Sequence, residues 1–370
     1  MKIGTVKEVK RYEFRVGLTP NNVSDYTRRG HQVYVQAGAG EGAALTDDEY
    51  KAAGAIILSS AKEVWDTCEM IVKVKEPLPE EYPLIRENQI IYTYLHLAAS
   101  KELTENLLAS KSKAVAYETI RDKDGGLPLL RPMSEVAGKL SVQAGARFLE
   151  KTMGGMGVLL GGVVGVKKAN VTIIGGGIVG TAALKMALGL GANVTILDNN
   201  IDRLTYLDDV FGSQIQTLYS TPSAIETAVV AADLVIGAVL IPGGAAPKLV
   251  KREHLKKMKK GSVIVDVAVD QGGCCDTTKI TYHDDPVFVV DDVIHYCVAN
   301  MPGAVSKTST FALTNATLPY GLKIADMGLE AAVKSDAGLL LGVNCYKGHL
   351  TCEEVARDFD MQYATLDSLL

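Results

Sequence analysis

Arginine, lysine, histidine and aspartate stand in this chain just where short strand-like runs end. Together they are the side chains needed to hold a small carboxylate and to move its protons. Arg11 and Arg15 follow the first such run in Lys10-Arg-Tyr-Glu-Phe-Arg15-Val-Gly-Leu-Thr-Pro20, and the planar guanidinium suits bidentate recognition of a carboxylate. Lys73 and Lys75 end the run Met70-Ile-Val-Lys-Val-Lys75-Glu-Pro77, and strand ends are where α/β proteins place ligand contacts. For any one of these cations alone, a surface ion pair is the simpler reading. His96 lies just past Ile91-Tyr-Thr-Tyr-Leu. Histidine exchanges protons near neutral pH better than any other side chain, although a lone histidine is more often structural. Asp270 follows Ile264-Val-Asp266-Val-Ala-Val and precedes Gly272 and Gly273. That places a carboxylate at the carboxyl edge of a sheet, with Asp266 inside the strand as a structural residue. Asn300, in the turn Val298-Ala-Asn300-Met-Pro302-Gly303, can hold an amide or a substrate by hydrogen bonds.

A partner for such chemistry is written in Val171-Thr-Ile-Ile-Gly175-Gly-Gly177-Ile-Val-Gly180, followed by Asp198. A strand-like run leads into Gly-x-Gly-x-x-Gly, and a good helix sequence follows, Thr181-Ala-Ala-Leu-Lys-Met-Ala-Leu. Gly175 permits the tight turn, Gly177 lets backbone approach a pyrophosphate, and Gly180 lets helix and strand pack closely. The helix N-terminus offers free N–H groups to phosphates. Asp198 ends the next strand, where a carboxylate accepts from ribose hydroxyls and repels a 2′-phosphate, so NAD is expected over NADP. Arg203, five residues on, fits an adenine or ribose contact as well as a phosphate. The second glycine-rich stretch, Met153 to Gly165, follows a helix rather than a strand and reads as a connector.

These residues need elements to position them. Strands are expected at Ile3–Val9, Val33–Gln36, Ala55–Leu58, Met70–Val74, Ile90–Tyr92 and Ala114–Ala116, with helices such as Asn21–Arg29 and Lys101–Leu108 between them. A long helix should run from Ser134 to about Met153. From Val171 the alternation becomes regular, with strands at 171–174, 193–197, 214–218, 233–236, 262–266 and 287–290. That is a doubly wound parallel sheet. Near Ser306 the rhythm breaks into helices at about 307–325 and 328–340 and a polar tail. The expected architecture is α/β in two domains. Residues 129–305 form a Rossmann-type doubly wound parallel sheet, and residues 1–128 with 306–370 form a discontinuous α/β substrate domain.

Composition narrows the function classes. With 47% apolar and 22% charged residues the chain is ordinary globular protein, and its net charge of −5 gives no footprint for nucleic acid or anionic membrane. The basic run Lys256-Lys257-Met-Lys259-Lys260 reads as a solvated helix end. The longest apolar stretch, Ala228 to Ile241, is interrupted by Asp233 and too short to span a bilayer. No secretory signal is recognisable, and the six cysteines lack metal-finger or Cys-x-x-Cys spacing, so a reducing, cytoplasmic setting is expected. The remaining histidines show no His-x-x-x-His or His-Glu-x-x-His spacing, which argues against zinc.

Several stretches match a known family together. Glu8-Val-Lys10 through Glu13-Phe-Arg15-Val-Gly-Leu-Thr-Pro20, Val74-Lys-Glu-Pro77, Tyr94-Leu-His96, Arg131-Pro-Met-Ser134-Glu, the glycine fingerprint, Val269-Asp-Gln-Gly-Gly273 and Asn300-Met-Pro-Gly303 occur in order along essentially the whole chain. In these motifs the chain resembles the L-alanine dehydrogenase family. The set distinguishes it from the related NAD-binding subunit of transhydrogenase, which shares the fold and the opening Glu-x-x-x-x-Glu-x-Arg pattern.

The resemblance implies an NAD-dependent enzyme that interconverts L-alanine with pyruvate and ammonium by hydride transfer, typically as a homohexamer. It implies that Arg15 and Lys75 bind the substrate, that His96 is the proton donor and acceptor, and that Asp270 assists the amination chemistry, with Asn300 at the substrate and cofactor. Contacts to NAD would come from Ser134, Gly175, Gly177, Ile178, Val179, Gly180, Asp198, Arg203, Ser220, Val239, Leu240, Val267, Ala268, Val269, Asp270, Lys279, Val298, Ala299, Asn300 and Met301. There are departures. Lys279 stands where many members have arginine and Val164 where proline is expected. Lys323 and Met327 replace a glutamate and a histidine that bind magnesium in some members, so no metal is expected. Two other readings share the fold. A hydride carrier working with a membrane partner would show no ammonia-dependent NADH oxidation, and a non-catalytic NAD sensor would turn over no 2-oxo acid.

Overall fold

The computed structural model describes residues 1–239 and 245–370. The chain forms two compact units, one of Met1–Met133 with Val305–Leu370 and the other of Ser134–Ala304. In chain order the strands are β1 (Lys2–Thr5), β2 (Gln32–Gln36), β3 (Ile56–Leu58), β4 (Met70–Val72), β5 (Ile90–Thr93), β6 (Lys113–Ala116), β7 (Asn170–Ile174), β8 (Asn193–Asp198), β9 (Ile215–Tyr219), β10 (Leu234–Gly237), β11 (Val263–Asp266), β12 (Val287–Val290), β13 (Val293–Tyr296), β14 (Val343–Tyr346) and β15 (His349–Leu350).

The first unit carries the sheet β15-β14-β6-β5-β4-β1-β2-β3. Strands β1 to β6 are parallel, and β14 adds antiparallel to β6. Its strands read as apolar runs because both faces are covered, and Ile71, Ile91 and Ala114 lie in a core with Trp65 and Leu103. The helix Pro20–Arg28 shows how locally its ends are specified. Thr19 caps it, Asn22 completes a capping box, and Pro20 supplies a preset first turn.

The second unit carries the sheet β12-β13-β11-β10-β7-β8-β9, parallel except for β12. Val171, Ile173, Val194, Ile196, Leu234 and Val263 build its core with the helix Ile178–Gly189.

Three differences from the sequence-based expectation have local causes. The long helix runs Arg131–Phe148, and a short 3-10 turn at Lys151–Met153 replaces its expected last turn. Strand β13 is unanticipated. It pairs with β12 through Asp291 and Asp292, both at positive φ (50° and 63°), a hairpin turn that usually announces itself with glycine. The tail, read from sequence only as polar, contains the hairpin β14–β15, turned at Lys347 and Gly348 with φ of 48° and 91°.

Candidate functional site

Each sheet has a point where its strand order reverses. In the first unit β1 lies between β2 and β4, and in the second β7 lies between β8 and β10. At such switch points the loops leaving the carboxyl ends part and open a crevice that holds ligands. Arg15 is in the loop after β1, Lys75 in the loop after β4, and His96 just past β5. Gly175 follows β7, Val239 follows β10, and Asp270 follows β11.

In the first unit these loops are fixed by buried charge. Lys73 is fully buried, with Nζ 2.7 Å from Glu81 and 3.3 Å from Glu8. The surface ion pair expected for this lysine is therefore an interior cluster. Glu8 Oε1 also accepts from the backbone N–H of Val74 at 2.7 Å and of Lys75 at 3.4 Å. Burial raises the Glu8 carboxyl above its usual range, against the attraction of Lys73.

Arg15 is 2% exposed, and Glu13 takes one edge of its guanidinium through Nε at 2.6 Å and Nη2 at 2.5 Å. Nη1 donates to the Met133 thioether at 3.0 Å, a weak acceptor. Lys75 is half-buried, and burial followed by the nearby Arg15 charge pushes its ammonium below the usual lysine range. Arg11, in contrast, is exposed and stacks over Tyr12.

His96 has φ 49° and ψ 43°, left-handed backbone that a non-glycine residue adopts only when held. Glu118 holds it. Its carboxylate accepts from His96 N at 2.6 Å and from Leu95 N at 3.1 and 3.2 Å. Tyr94 stacks on the imidazole with centroids 5.8 Å apart and an 11° interplanar angle. The His96 side chain reaches the surface, yet crowding by neighbouring atoms leads the causes that lower its pKa. Glu118 and Glu76 oppose that shift, and Lys75 and Lys10 reinforce it. Lys75 thus lies within the electrostatic reach of both Arg15 and His96. Sequence reading missed the supporting carboxylates. The usable signal for Glu118 was the one used for Lys75, a charge directly after a buried strand.

The glycine fingerprint of the second unit behaves as its spacing demands. Gly175 has φ 103°, and a Cβ there would sit 2.6 Å from Ala238 O. A Cβ on Gly180 would lie 1.8 Å from Gly175 O, whereas one on Gly177 meets nothing within 4 Å among the described residues. The approach to Gly177 is therefore open on the side a pyrophosphate would use. Gly177 also caps the helix Ile178–Gly189 without a side-chain acceptor, while Thr19, Thr46, Ser60, Ser100, Asn200 and Thr221 each cap theirs. First-turn N–H groups without a side-chain acceptor among the described residues suit an anion, so the residues present fit a dinucleotide.

Asp198 accepts from Gly176 N at 2.6 Å and from Asn200 N at 2.9 Å, which orients the carboxylate beside the loop. Arg203 donates to Gly176 O at 2.5 Å and to Thr181 Oγ1 at 2.6 Å. Its guanidinium thus clamps the glycine loop, as neither the ribose nor the phosphate reading anticipated. Ile178 is exposed at the helix start and Val179 half-buried beside it. Ser134 is half-buried early in the long helix, and Ser220, just past β9, donates its backbone N–H to Asp198 O at 3.0 Å. Val239 is half-buried, and Leu240 lies outside the described residues.

Past β11, Val267, Ala268, Val269 and Asp270 form a short 3-10 turn. Asp266, fully buried, anchors it by accepting from Ala268 N (3.1 Å), Cys274 N (2.9 Å), Cys275 N (3.3 Å) and Thr278 Oγ1 (2.5 Å). Asp270 itself is exposed. Lys279 stands over the Phe288 ring at 4.4 Å. In the turn past β13, Val298 and Met301 are buried and Ala299 is half-buried. Asn300 is left-handed (φ 59°), with its carbonyl accepting from Gly303 N at 2.9 Å and 3.3 Å from His283 Nε2.

Lys323 pairs with Asp336 at 2.6 Å and Met327 is exposed. Among the described residues no group of three His, Cys, Asp or Glu is arranged to hold a metal, and no helix is long and apolar enough to cross a membrane.

Residues 4–137 match the alanine dehydrogenase/PNT N-terminal domain and residues 141–353 the alanine dehydrogenase/PNT C-terminal domain. The chain is 56% identical over 371 residues to an alanine dehydrogenase from Methanococcus maripaludis, covering all of both chains. Among solved structures it resembles an L-alanine dehydrogenase at 53% identity and a TM-score of 0.95, over 97% of this chain and 99% of that one. A transhydrogenase from Sinorhizobium meliloti shares the fold at 23% identity and a TM-score of 0.81, over 95% of this chain and 99% of that one. The chain belongs to the alanine dehydrogenase/PNT family.

Proposed function

We propose that this chain catalyses the reversible oxidative deamination L-alanine + NAD⁺ + H₂O ⇌ pyruvate + NH₄⁺ + NADH + H⁺. The observation that carries this reading is the trio Arg15, Lys75 and His96 behind neighbouring strand ends, in a chain whose full-length relative is an alanine dehydrogenase. Arg15, squared by Glu13, binds the substrate carboxylate, which replaces the weak thioether contact at Nη1. Lys75 holds the keto oxygen or the amine, and its depressed pKa readies it to give up a proton.

His96 takes a proton from the water that adds to the imine and returns it as the carbinolamine releases ammonia. Asp270 stabilises the cationic amine, and Asn300 orients substrate and nicotinamide amide by hydrogen bonds. Ser134, the glycine loop 175–180 with Ile178 and Val179, Asp198, Arg203, Ser220, Val239, Leu240, the turn 267–270, Lys279 and the turn 298–301 hold NAD. When bound, NAD⁺ accepts the hydride of the substrate α-carbon, and NADH returns it in the reverse direction.

Because His96 titrates below the ordinary histidine value of 6.5, it is a free base at neutral pH. The acid limb of kcat/KM for deamination is therefore expected below 6.5. We read the enzyme as a cytoplasmic homohexamer. The family resemblance supports the assembly, and the all-free cysteines among the described residues support a reducing compartment. The test is turnover of L-alanine with each cofactor. NAD reduction with little NADP reduction is expected; equal or better use of NADP would overturn the role of Asp198, and no NAD reduction would overturn the function.

A further inference from the structure

Glu118 is half-buried in the short turn Tyr117–Thr119 that follows β6. Its carboxylate bridges two successive backbone N–H groups, Leu95 and His96, at 2.6 to 3.2 Å. Paired N–H groups of this kind form an anion-holding concavity, and here the anion comes from the protein. The arrangement stabilises a backbone conformation at His96 that costs a non-glycine residue of order 1 kcal/mol or more.

The same turn braces the imidazole from another side. Tyr117 packs edge-on against Tyr94 at 5.0 Å and 81°, and Tyr94 stacks flat on His96. Among the described residues the His96 ring nitrogens make no hydrogen bond. The ring is thus aimed by its backbone and its stacking partner, with its nitrogens left for the reaction.

We propose that Glu118 is a positioning residue for His96: it locks the left-handed turn that aims the imidazole and places a negative charge beside the proton-carrying group. This rests on the reading of His96 as proton donor and acceptor. The charged groups facing the imidazole are Glu118 and Glu76, which favour the imidazolium, and Lys75 and Lys10, which oppose it. Lys10 and Glu76 pair with each other. Glu118, engaged with backbone N–H groups, is the acid bonded to the turn that carries His96.

The experiment compares full-length wild type, Glu118→Gln, Glu118→Asp and His96→Ala in L-alanine deamination with saturating NAD across pH. Glu118→Gln keeps an acceptor oxygen but removes the charge. Its kcat is expected to fall about 10- to 100-fold, a part of what a well-placed acid–base group contributes. Its acid limb is expected to move down by about one pH unit, because the imidazolium loses an attractive neighbour. Its KM for NAD should stay within about twofold of wild type. Glu118→Asp keeps the charge but shortens the reach, so kcat should fall while the limb stays in place.

A limb unmoved in Glu118→Gln overturns the proposal, because loss of a purely structural contact would lower activity without moving the profile. Should Glu118→Gln fail to fold, Glu118→Asp decides. Wild-type kcat, or a limb displaced as far as about one pH unit, overturns the proposal. His96→Ala separates the two levels. Lost turnover leaves the reading of His96 standing whatever Glu118 does, and retained turnover overturns that reading and this inference with it.

Discussion

Both units place their candidate functional residues behind the carboxyl ends of parallel strands at a point where strand order reverses, yet they hold those residues by partly different physics. The first unit uses charge. Lys73 between Glu8 and Glu81, Glu13 on Arg15, and Glu118 under His96 fix three loops by ion pairs and by carboxylates on backbone N–H groups. The second unit adds shape at its nucleotide loop, where Gly175 and Gly180 admit contacts that any Cβ would block, to the hold of Asp198 and Arg203 on Gly176. A proton-transfer site needs tuned charge, which only side chains supply. A phosphate site needs bare backbone N–H groups, which a glycine loop and the helix start behind it offer.

The largest structural effect is expected from removing the central charge of the first unit. Lys73→Met leaves two buried carboxylates without their cation and should cost about 3–5 kcal/mol in a urea-unfolding measurement. Replacing the whole cluster, with Glu8→Gln, Lys73→Met and Glu81→Gln, should recover most of that loss. A loss below about 1 kcal/mol for Lys73→Met would mean that charge does not organise this unit.

The second unit is probed by one substitution at two positions. Gly180→Ala drives a methyl into Gly175 O and should cost about 1–3 kcal/mol as overpacking, with a lower melting temperature. Gly177→Ala meets no atom of the described residues within 4 Å, so it should melt like wild type and raise the KM for NAD instead. Equal melting losses at the two positions would break the distinction between packing glycine and ligand glycine.

The smallest effect tests whether exposed charge matters away from the site. Glu330 accepts from Lys113 at 2.6 Å and from Tyr346 at 3.0 Å, tying a C-terminal helix to the sheet, and its pKa is lowered to about 2. Burial opposes that shift, while the Lys113 and Tyr346 hydrogen bonds and the Lys113 charge produce it. A carboxyl depressed in the folded state contributes stability that is fully present above its ordinary value of 4.5 and is lost as pH falls toward about 2. Because the side chain is 40% exposed, solvent screening limits the contribution to about 1 kcal/mol or less. Glu330→Gln should therefore narrow the stability gap to wild type between pH 6 and about pH 2; a constant gap would contradict the ion-pair origin.

The same contrast explains what the sequence made legible. The glycine loop and Asp198 could be read because their meaning is local: strand, turn, helix and acid follow within about 30 residues. Most strands of both sheets were legible for the same reason, as apolar runs between turn signals. Glu118 touches His96 across 22 residues of sequence and Glu8 touches Lys73 across about 65, so spacing carried no sign of either contact. Lys73 looked like a surface lysine because composition assigns lysine to the surface, and only its two buried acids explain it. The hairpin β12–β13 was hidden because its turn uses Asp291 and Asp292 where glycine or asparagine would have marked it. Arg203 was legible as a residue near the nucleotide loop, but its grip on Gly176 O depended on a rotamer that sequence does not carry.

The most direct test of the account is NADH oxidation by the purified full-length chain with pyruvate, with and without ammonium. Oxidation that requires both pyruvate and ammonium is the expected result of the roles proposed for Arg15, Lys75 and His96. Tight NADH binding without ammonium-dependent oxidation would contradict it and leave only the nucleotide-binding half of the account.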